Sequence, residues 1–274
     1  MNHAAAAPSF SARWGGKARR LATWMRLLRN WPVRVLERHG WREGEIDYRL
    51  RCGLTIRLRG QRKDSDSQIL WDVFVNRPYT IPETAIRPGD TVVDVGAHAG
   101  IFACWAARAA SGVRVYAYEP SPESFRYLEH NVRANALANV RCMNLGMSER
   151  EGAARLYRSG RDTGSHSLFP RAGLHDPADF TEVRLTTLEA AIRDNNLDRI
   201  DLLKLDCEGA EFGILFGASP DLLRRVRRLA VECHFKHVPH TREELSEHLS
   251  RQGFRTCSAP RGSVLWAWRE DPAP

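Results

Sequence analysis

Five apolar runs in this chain end in groups that can bind a ligand or move a proton. TVVDVGAHAG (91–100) ends in Asp94, followed by Gly96, Ala97, His98 and Gly100. VRVYAYEPS (113–121) ends in Glu119, Pro120 and Ser121. The run at 139–146 closes on Asn144, Leu145 and Gly146. IDLLKLDCEGAE closes on Asp206, Glu208, Gly209 and Glu211, and LAVECH on Glu232 and His234. An apolar run, a glycine turn and a second run tipped by an acid have the spacing of a β-α-β nucleotide-binding unit. Its glycines admit a ligand to the backbone, and its acid accepts ribose hydroxyls. His98 stands where a Gly-x-Gly-x-x-Gly motif has its second glycine, and a pyrophosphate needs that room. Four of the five tips carry acids, and no base stands at the first to hold a phosphate. Both features favour a cationic or hydroxyl-rich nucleoside, such as S-adenosylmethionine (SAM), over a dinucleotide.

Moving a methyl group from a sulfonium to a hydroxyl requires in-line alignment above all. An alcohol is a poor nucleophile near neutral pH, so a base within reach helps. His234 ranks first for its intrinsic pKa, then Asp206, nearest the expected sulfonium, then Glu208. His234 could equally be a structural histidine at a strand end. Glu208 and Glu211 could equally cap the helix opening at Gly209-Ala210. His234, His237 and His240 recur every third residue, and carboxylates at Asp206 and Glu208 would suit magnesium. Pro239 and the loop character of that stretch weaken the triad, and no metal is expected. His166, in GSHSLF between Ser165 and Ser167, could face the acceptor as a lid or be an ordinary surface loop.

The elements that must position these residues alternate. Strand 91–95 leads to helix 100–110, strand 113–118 to helix 122–136, and strand 139–145 follows. Ser121 caps the second helix and Pro122 takes its first position. Two short strands, ARLY and EVRLTT, flank the loop that carries His166. Helix 187–196 precedes the continuous apolar strand IDLLKLD, buried on both sides. Helices 209–217 and 219–227, strand 228–233, helix 241–252 and a closing pair at 254–258 and 264–269 complete the chain. Such alternation implies a mostly parallel α/β sheet with helices on both faces and an antiparallel C-terminal edge hairpin. Ahead of it, residues 1–15 are expected to be disordered. Residues 16–88 form an extension ending at the turn Arg87-Pro88-Gly89-Asp90, and 89–274 form the ligand-binding domain. The extension holds a basic amphipathic helix broken at Pro32, an alternating stretch at 48–59 that bends near Gly53, and a short helix at 67–76.

VVDVGAHAGIF, YAYEP, LAVECH and especially IDLLKLDCEGAEFGIL resemble the FkbM family of SAM-dependent methyltransferases, from about Trp71 to Arg269. The resemblance implies a Rossmann-like class I methyltransferase with a seven-stranded sheet that methylates hydroxyls of sugars, glycolipids or polyketide-type products. By motif, Asp94, Gly96 and Gly100 would line the methionine side, with Ala97 and His98 between them. Glu119, Pro120 and Ser121 would hold the ribose, Asn144 to Gly146 would flank the adenine, and Asp206 would orient the substrate or the SAM amino group.

Length and composition are those of an ordinary globular protein: 274 residues, 43% apolar and 27% charged, with a net charge of +8 carried mostly by Arg. No Arg cluster is interleaved with aromatics as in a nucleic-acid module, so neither a nucleic-acid methyltransferase nor a binder is favoured. A dehydrogenase using NAD(P) would want Glu119 too, but a Tyr-x-x-x-Lys pair is missing. A non-catalytic scaffold would not keep so many polar strand tips. The six cysteines have no paired spacing, which suits a reducing compartment. No signal-peptide or spanning pattern occurs, so the expected location is cytoplasmic. The basic helix at 17–38 could cover the core, form a homodimer face or lie on a membrane surface.

Overall fold

The computed structural model describes residues 10–60, 66–159, 163–170, 172–234, 238–259 and 262–270, with backbone alone for 10–16. The expected disorder at 1–15 therefore falls largely outside the described residues. The chain divides into two compact units, Met1–Arg62 and Lys63–Pro274.

The first unit carries α1 (Phe10–Leu27), α2 (Pro32–Arg38), β1 (Gly44–Arg49) and β2 (Thr55–Gly60). β1 and β2 form an antiparallel hairpin in which Tyr48 faces Ile56 and Ile46 faces Leu58. The period-two alternation read from the sequence gives one buried apolar face, with Trp24 and Leu28 of the preceding segment buried as well. On the charged face Arg57 donates to Asp47 at 2.7 Å. Inside, the Tyr48 hydroxyl donates to the buried Glu37 carboxylate.

The second unit begins with α3 (Asp66–Trp71), which runs into a π-helical turn at Asp72–Asn76. Then follow β3 (Thr91–Val95), α4 (Ile101–Ala106), β4 (Arg114–Tyr118), α5 (Pro122–Ala134) and β5 (Val140–Met143). β6 (Gly146–Met147), β7 (Gly152–Ser159), β8 (His175–Thr186), α6 (Leu188–Asp194) and β9 (Leu202–Leu205) come next. α7 (Glu211–Gly217), α8 (Pro220–Arg224), β10 (Arg228–Glu232), α9 (Arg242–Arg251), β11 (Arg255–Ser258) and β12 (Val264–Trp268) close the chain.

Seven strands make one sheet in the order β11-β12-β10-β9-β3-β4-β5. The five from β10 to β5 are parallel, and β12 runs antiparallel to both β10 and β11. This is the expected Rossmann-like architecture, with helices on both faces and the edge hairpin at its C-terminus. Val93, Val95, Leu203, Leu205, Leu229 and Val231 are fully buried, as continuous apolar runs in a doubly covered sheet must be. Ser121 accepts the Ser124 amide at the start of α5, with Pro122 next, so both features of the expected cap are present. β7 and β8 pair antiparallel and, with β6, form a separate three-stranded sheet whose strands extend beyond the two short apolar segments.

Two boundaries move. The extension was expected to reach residue 88, yet the compact first unit stops at Arg62. Residues 66–85 are tied to the sheet: Trp266 Nε1 donates to the Pro78 carbonyl at 3.0 Å, and Arg228 donates to the Ala85 carbonyl. The third parallel strand ends at Met143 rather than 145, because Asn144 leaves the ladder to bond a neighbouring loop.

Candidate active site

In the large sheet, strand order reverses between β3 and β9, where an α/β sheet opens a crevice at its carboxyl edge. Gly96 sits there with φ +75°, its amide and that of Ala97 both bonding the Tyr118 carbonyl at 3.0 Å. A Cβ on Gly96 would overlap the Asp206 carbonyl oxygen, so the β3 and β9 loops can meet only through a glycine. Gly100 also has positive φ, and a Cβ there would strike Leu128. Both the left-handed backbone and the close approach of Leu128 require glycine at 100, so its role is local structure and packing rather than ligand contact.

Glu119 is buried, and each carboxylate oxygen takes a backbone amide: Oε1 from Ser121 and Oε2 from His98, both at 2.8 Å. Burial pushes its carboxyl up to about 7, while the two amides pull the other way. His98 adopts φ +50°, and its Nε2 lies 3.4 Å from the fully buried Asp66 carboxylate on α3. Asn144 donates to the carbonyls of Glu119 and Pro120 at 2.8 and 3.1 Å, so it holds the loop that carries Glu119. At Gly146 a side chain would meet Leu185 and Pro120.

Across the crevice lies a buried cation. Lys204 projects from an otherwise apolar strand, donating to the Gly96 carbonyl at 2.9 Å. Its Nζ stands 3.0 Å from Asp94 Oδ1 and 3.5 Å from Asp206 Oδ2. Burial would lower its pKa, but these carboxylates outweigh burial and raise it. Asp94, wholly buried behind Gly96, is pushed upward by burial against the pull of Lys204. For Asp206, burial works upward, yet Lys204, His234 and a tyrosine hydroxyl together hold it below the usual carboxylate range. That hydroxyl belongs to Tyr79, whose oxygen lies 2.8 Å from Asp206 Oδ2 and 2.8 Å from Glu232 Oε2. Glu232 moves the other way, raised by burial and by the Asp206 charge beside it.

His234 Nδ1 lies 2.8 Å from Glu211 Oε1, and its Nε2 lies 3.6 Å from Glu208 and 4.0 Å from Asp206. Burial opposes its charge, but the hydrogen bond to Glu211 and the surrounding acids raise its pKa to about 10. Near neutral pH it is an imidazolium, a donor with no lone pair for a proton. Glu211 is fully buried and accepts the amides of Cys207 and Gly209 at 2.8 Å each, tying His234 to the turn after β9. Glu208 has φ +56°, and its carbonyl accepts the Ser167 hydroxyl at 2.7 Å. His166 Nδ1 accepts the Ser159 amide at 3.0 Å, a bond that assigns the ring proton of a neutral imidazole to Nε2. His240 instead packs its ring on Phe212 and Phe216, and His237 lies outside the described residues. Among the described residues no group of three or more His, Cys, Asp or Glu is arranged to hold a metal ion.

A single cleft joins these parts. Gly96, Ala97, His98, Glu119, Pro120, Gly146, Asp206, Glu208 and His166 all line it. Asp94, Gly100, Ser121, Asn144 and His234 do not; they stand behind or beside the wall and act through other residues. Tyr79, Phe102 and Lys204 line it too, and the sequence reading singled out none of them as site residues. Lys204 carried a signal, since a lone cation in LLKLD must find partners when the strand is buried. Tyr79 carried none.

The sheet and cleft define a class I methyltransferase. The chain belongs to the FkbM methyltransferase family, whose FkbM methyltransferase domain matches residues 94–256. It is a SAM-dependent methyltransferase. The AMB antimetabolite synthetase AmbE of Pseudomonas aeruginosa is 29% identical over 234 residues, covering 72% of this chain. This chain spans only 11% of that protein's length. The 31-O-demethyl-FK506 methyltransferase FkbM of Streptomyces tacrolimicus is 28% identical over 196 residues, covering 62% of this chain and 75% of that one. A SAM-dependent methyltransferase from Aquifex aeolicus superposes with a TM-score of 0.40 at 15% identity, over 74% of this chain and 97% of that one.

Proposed function

We propose that the protein transfers the methyl group of SAM to a hydroxyl of a small-molecule acceptor, a sugar, glycolipid or polyketide-type product, with Asp206 receiving the hydroxyl proton. The observation that carries this reading is Asp206 in the wall of the same cleft as Glu119, with Lys204 at 3.5 Å favouring its anion. Bound SAM supplies an electrophilic methyl on a sulfonium. The residues fit such a ligand: Glu119 is a buried carboxylate braced by two amides, whose remaining lone pairs suit ribose hydroxyls. Asp206 and Glu208 give the cleft the negative character a cation needs, and Lys204 is already paired with carboxylates. Phe102, Met147 and Leu168 supply apolar wall that excludes water. His234, protonated and bonded to Glu211, favours the Asp206 anion rather than taking a proton itself. Methylation at an oxygen is also consistent with the FkbM relative, a 31-O-demethyl-FK506 methyltransferase.

The test is incubation with methyl-labelled SAM and a panel of free sugars, glycolipids and macrolide alcohols, read by mass spectrometry. Label on an acceptor oxygen, lost in Asp206→Asn with SAM affinity kept, is the expected result. Label on nitrogen or carbon, or on RNA in a parallel arm, overturns the hydroxyl reading.

For the first 62 residues we infer contact with an anionic membrane surface. They hold 14 Arg and Lys against four acids, and Trp41 is 75% exposed beside the exposed Leu36. Exposed apolar groups among cations suit a lipid interface better than a nucleic-acid backbone. No helix among the described residues is long and apolar enough to cross a membrane.

A further inference from the structure

We propose that Asp206, Tyr79 and Glu232 form a proton relay from the cleft to the protein rim, with Tyr79 and Glu232 as positioning residues that act through Asp206. This rests on the reading of Asp206 as proton acceptor. The geometry sets the proton count. The Tyr79 oxygen lies 2.8 Å from a carboxylate on either side, yet a phenol has one proton to donate. Two short contacts to one hydroxyl are both satisfied only when one acid carries a proton and donates it to the Tyr79 oxygen, while the phenol donates to the other. The three groups therefore hold one or two protons between them, and they titrate as a unit.

The environment gives the unit a direction. Asp206 is faced by Lys204 at 3.5 Å, by the His234 imidazolium at 4.0 Å and by Tyr79, all of which favour its anion. Glu232 is faced by Tyr79, by the Ser263 hydroxyl at 3.0 Å and by the charges of Asp206 and His234. Burial and the Asp206 anion raise Glu232, so a proton shared by the three groups favours Glu232 over Asp206. On methyl transfer the new C–O bond forms as the S–C bond breaks, and the acceptor hydroxyl proton passes to Asp206. With Glu232 ionised by prior loss of its proton to solvent, Asp206 then returns a proton to the Tyr79 oxygen as Tyr79 releases its own to the Glu232 carboxylate. Asp206 is again an anion, Tyr79 again a phenol, and Glu232 a neutral acid whose other oxygen meets Ser263 near the surface. The relay accepts a new proton only after Glu232 has lost this one.

Tyr79 is held for this task. The Trp266 indole bonds the carbonyl of Pro78, the Thr84 hydroxyl lies 3.4 Å from the Tyr79 carbonyl, and the phenol ring meets Phe102 edge-on at 5.5 Å. Tyr79 and Ser263 both lie outside the residues the family domain matches.

The test has two arms. In the first, the carboxylic-acid carbonyl stretch of the purified protein is titrated by difference infrared spectroscopy, which requires no acceptor. One acid titrating above the ordinary glutamate range, absent in Glu232→Gln and shifted to lower pH in Asp206→Asn, is the expected result. A band indifferent to Asp206→Asn overturns the shared-proton unit. In the second arm, kcat is followed against pH with an acceptor labelled in the panel above. Glu232→Gln, which keeps the hydrogen bonds but cannot take a proton, should lower kcat at least about tenfold, against the ~10²–10⁴ expected for loss of a base. Tyr79→Phe should do the same, with SAM affinity within about threefold of wild type by calorimetry. Glu232→Gln with wild-type kcat and an unchanged acid limb overturns the relay. If no acceptor is labelled, the hydroxyl-transfer reading fails while the infrared arm still judges the proton unit.

Discussion

At the scale of single residues, the site works by fixing charge before any ligand arrives. Glu119 is raised to about 7 by burial, and ribose hydroxyls favour its ionised form. SAM affinity should therefore weaken as pH falls below about 7, with net proton release on binding there. Calorimetry in buffers of different ionisation enthalpy checks both. Glu119→Gln should lower affinity by about 1.5–3 kcal/mol, because a charge-assisted partner of the diol is lost. His234 is raised, so the sign for stability is opposite to that of a depressed acid. Its contribution is fully present below its unfolded value of 6.5 and is lost as pH rises through about 10. The Tm gap between wild type and His234→Gln should be widest below pH 6.5 and shrink steadily toward pH 10. A gap independent of pH would remove the imidazolium from the account.

At the scale of elements, the turns after β3 and β9 are one device, clamped by Lys204 and made possible by Gly96. Lys204→Met leaves Asp94 a buried charge without its cation, and chemical denaturation should show a loss of about 3–5 kcal/mol. Gly96→Ala should abolish SAM binding through overlap with the Asp206 backbone. Gly100→Ala should chiefly cost stability, through Leu128. These elements were legible to very different degrees. The sequence reading placed β3 at its observed bounds, since an apolar run ending in a glycine turn is a strong local signal. It also placed the Ser121-Pro122 cap and the closing hairpin. Gly100 and Asn144 were read as ligand-facing because motif position cannot separate a residue that touches a ligand from one that packs behind it. Tyr79 was invisible because its partners lie at the carboxyl ends of β9 and β10, far along the chain, and only the strand order brings them together. His234 was read as a candidate base or a structural histidine, but its protonation depends on Glu211 and Glu208, whose orientation only the folded turn defines.

At the scale of the molecule, charge is segregated. The first 62 residues hold 14 of the 41 Lys and Arg but only four of the 33 acids, so the rest of the chain is close to neutral. Sedimentation with phosphatidylserine vesicles should show binding that falls steeply with salt and weakens in Trp41→Ala. Indifference to vesicles alongside tight oligonucleotide binding would contradict the membrane reading. The methyltransferase unit depends on a different claim, that one cleft at the β3–β9 switch point holds both the cofactor and the group that receives the proton. A crystal structure with S-adenosylhomocysteine and a labelled acceptor tests this directly. The account predicts the ribose on Glu119 and the acceptor hydroxyl within hydrogen-bond reach of Asp206; a ribose bound elsewhere, or a hydroxyl facing away from Asp206, would contradict it.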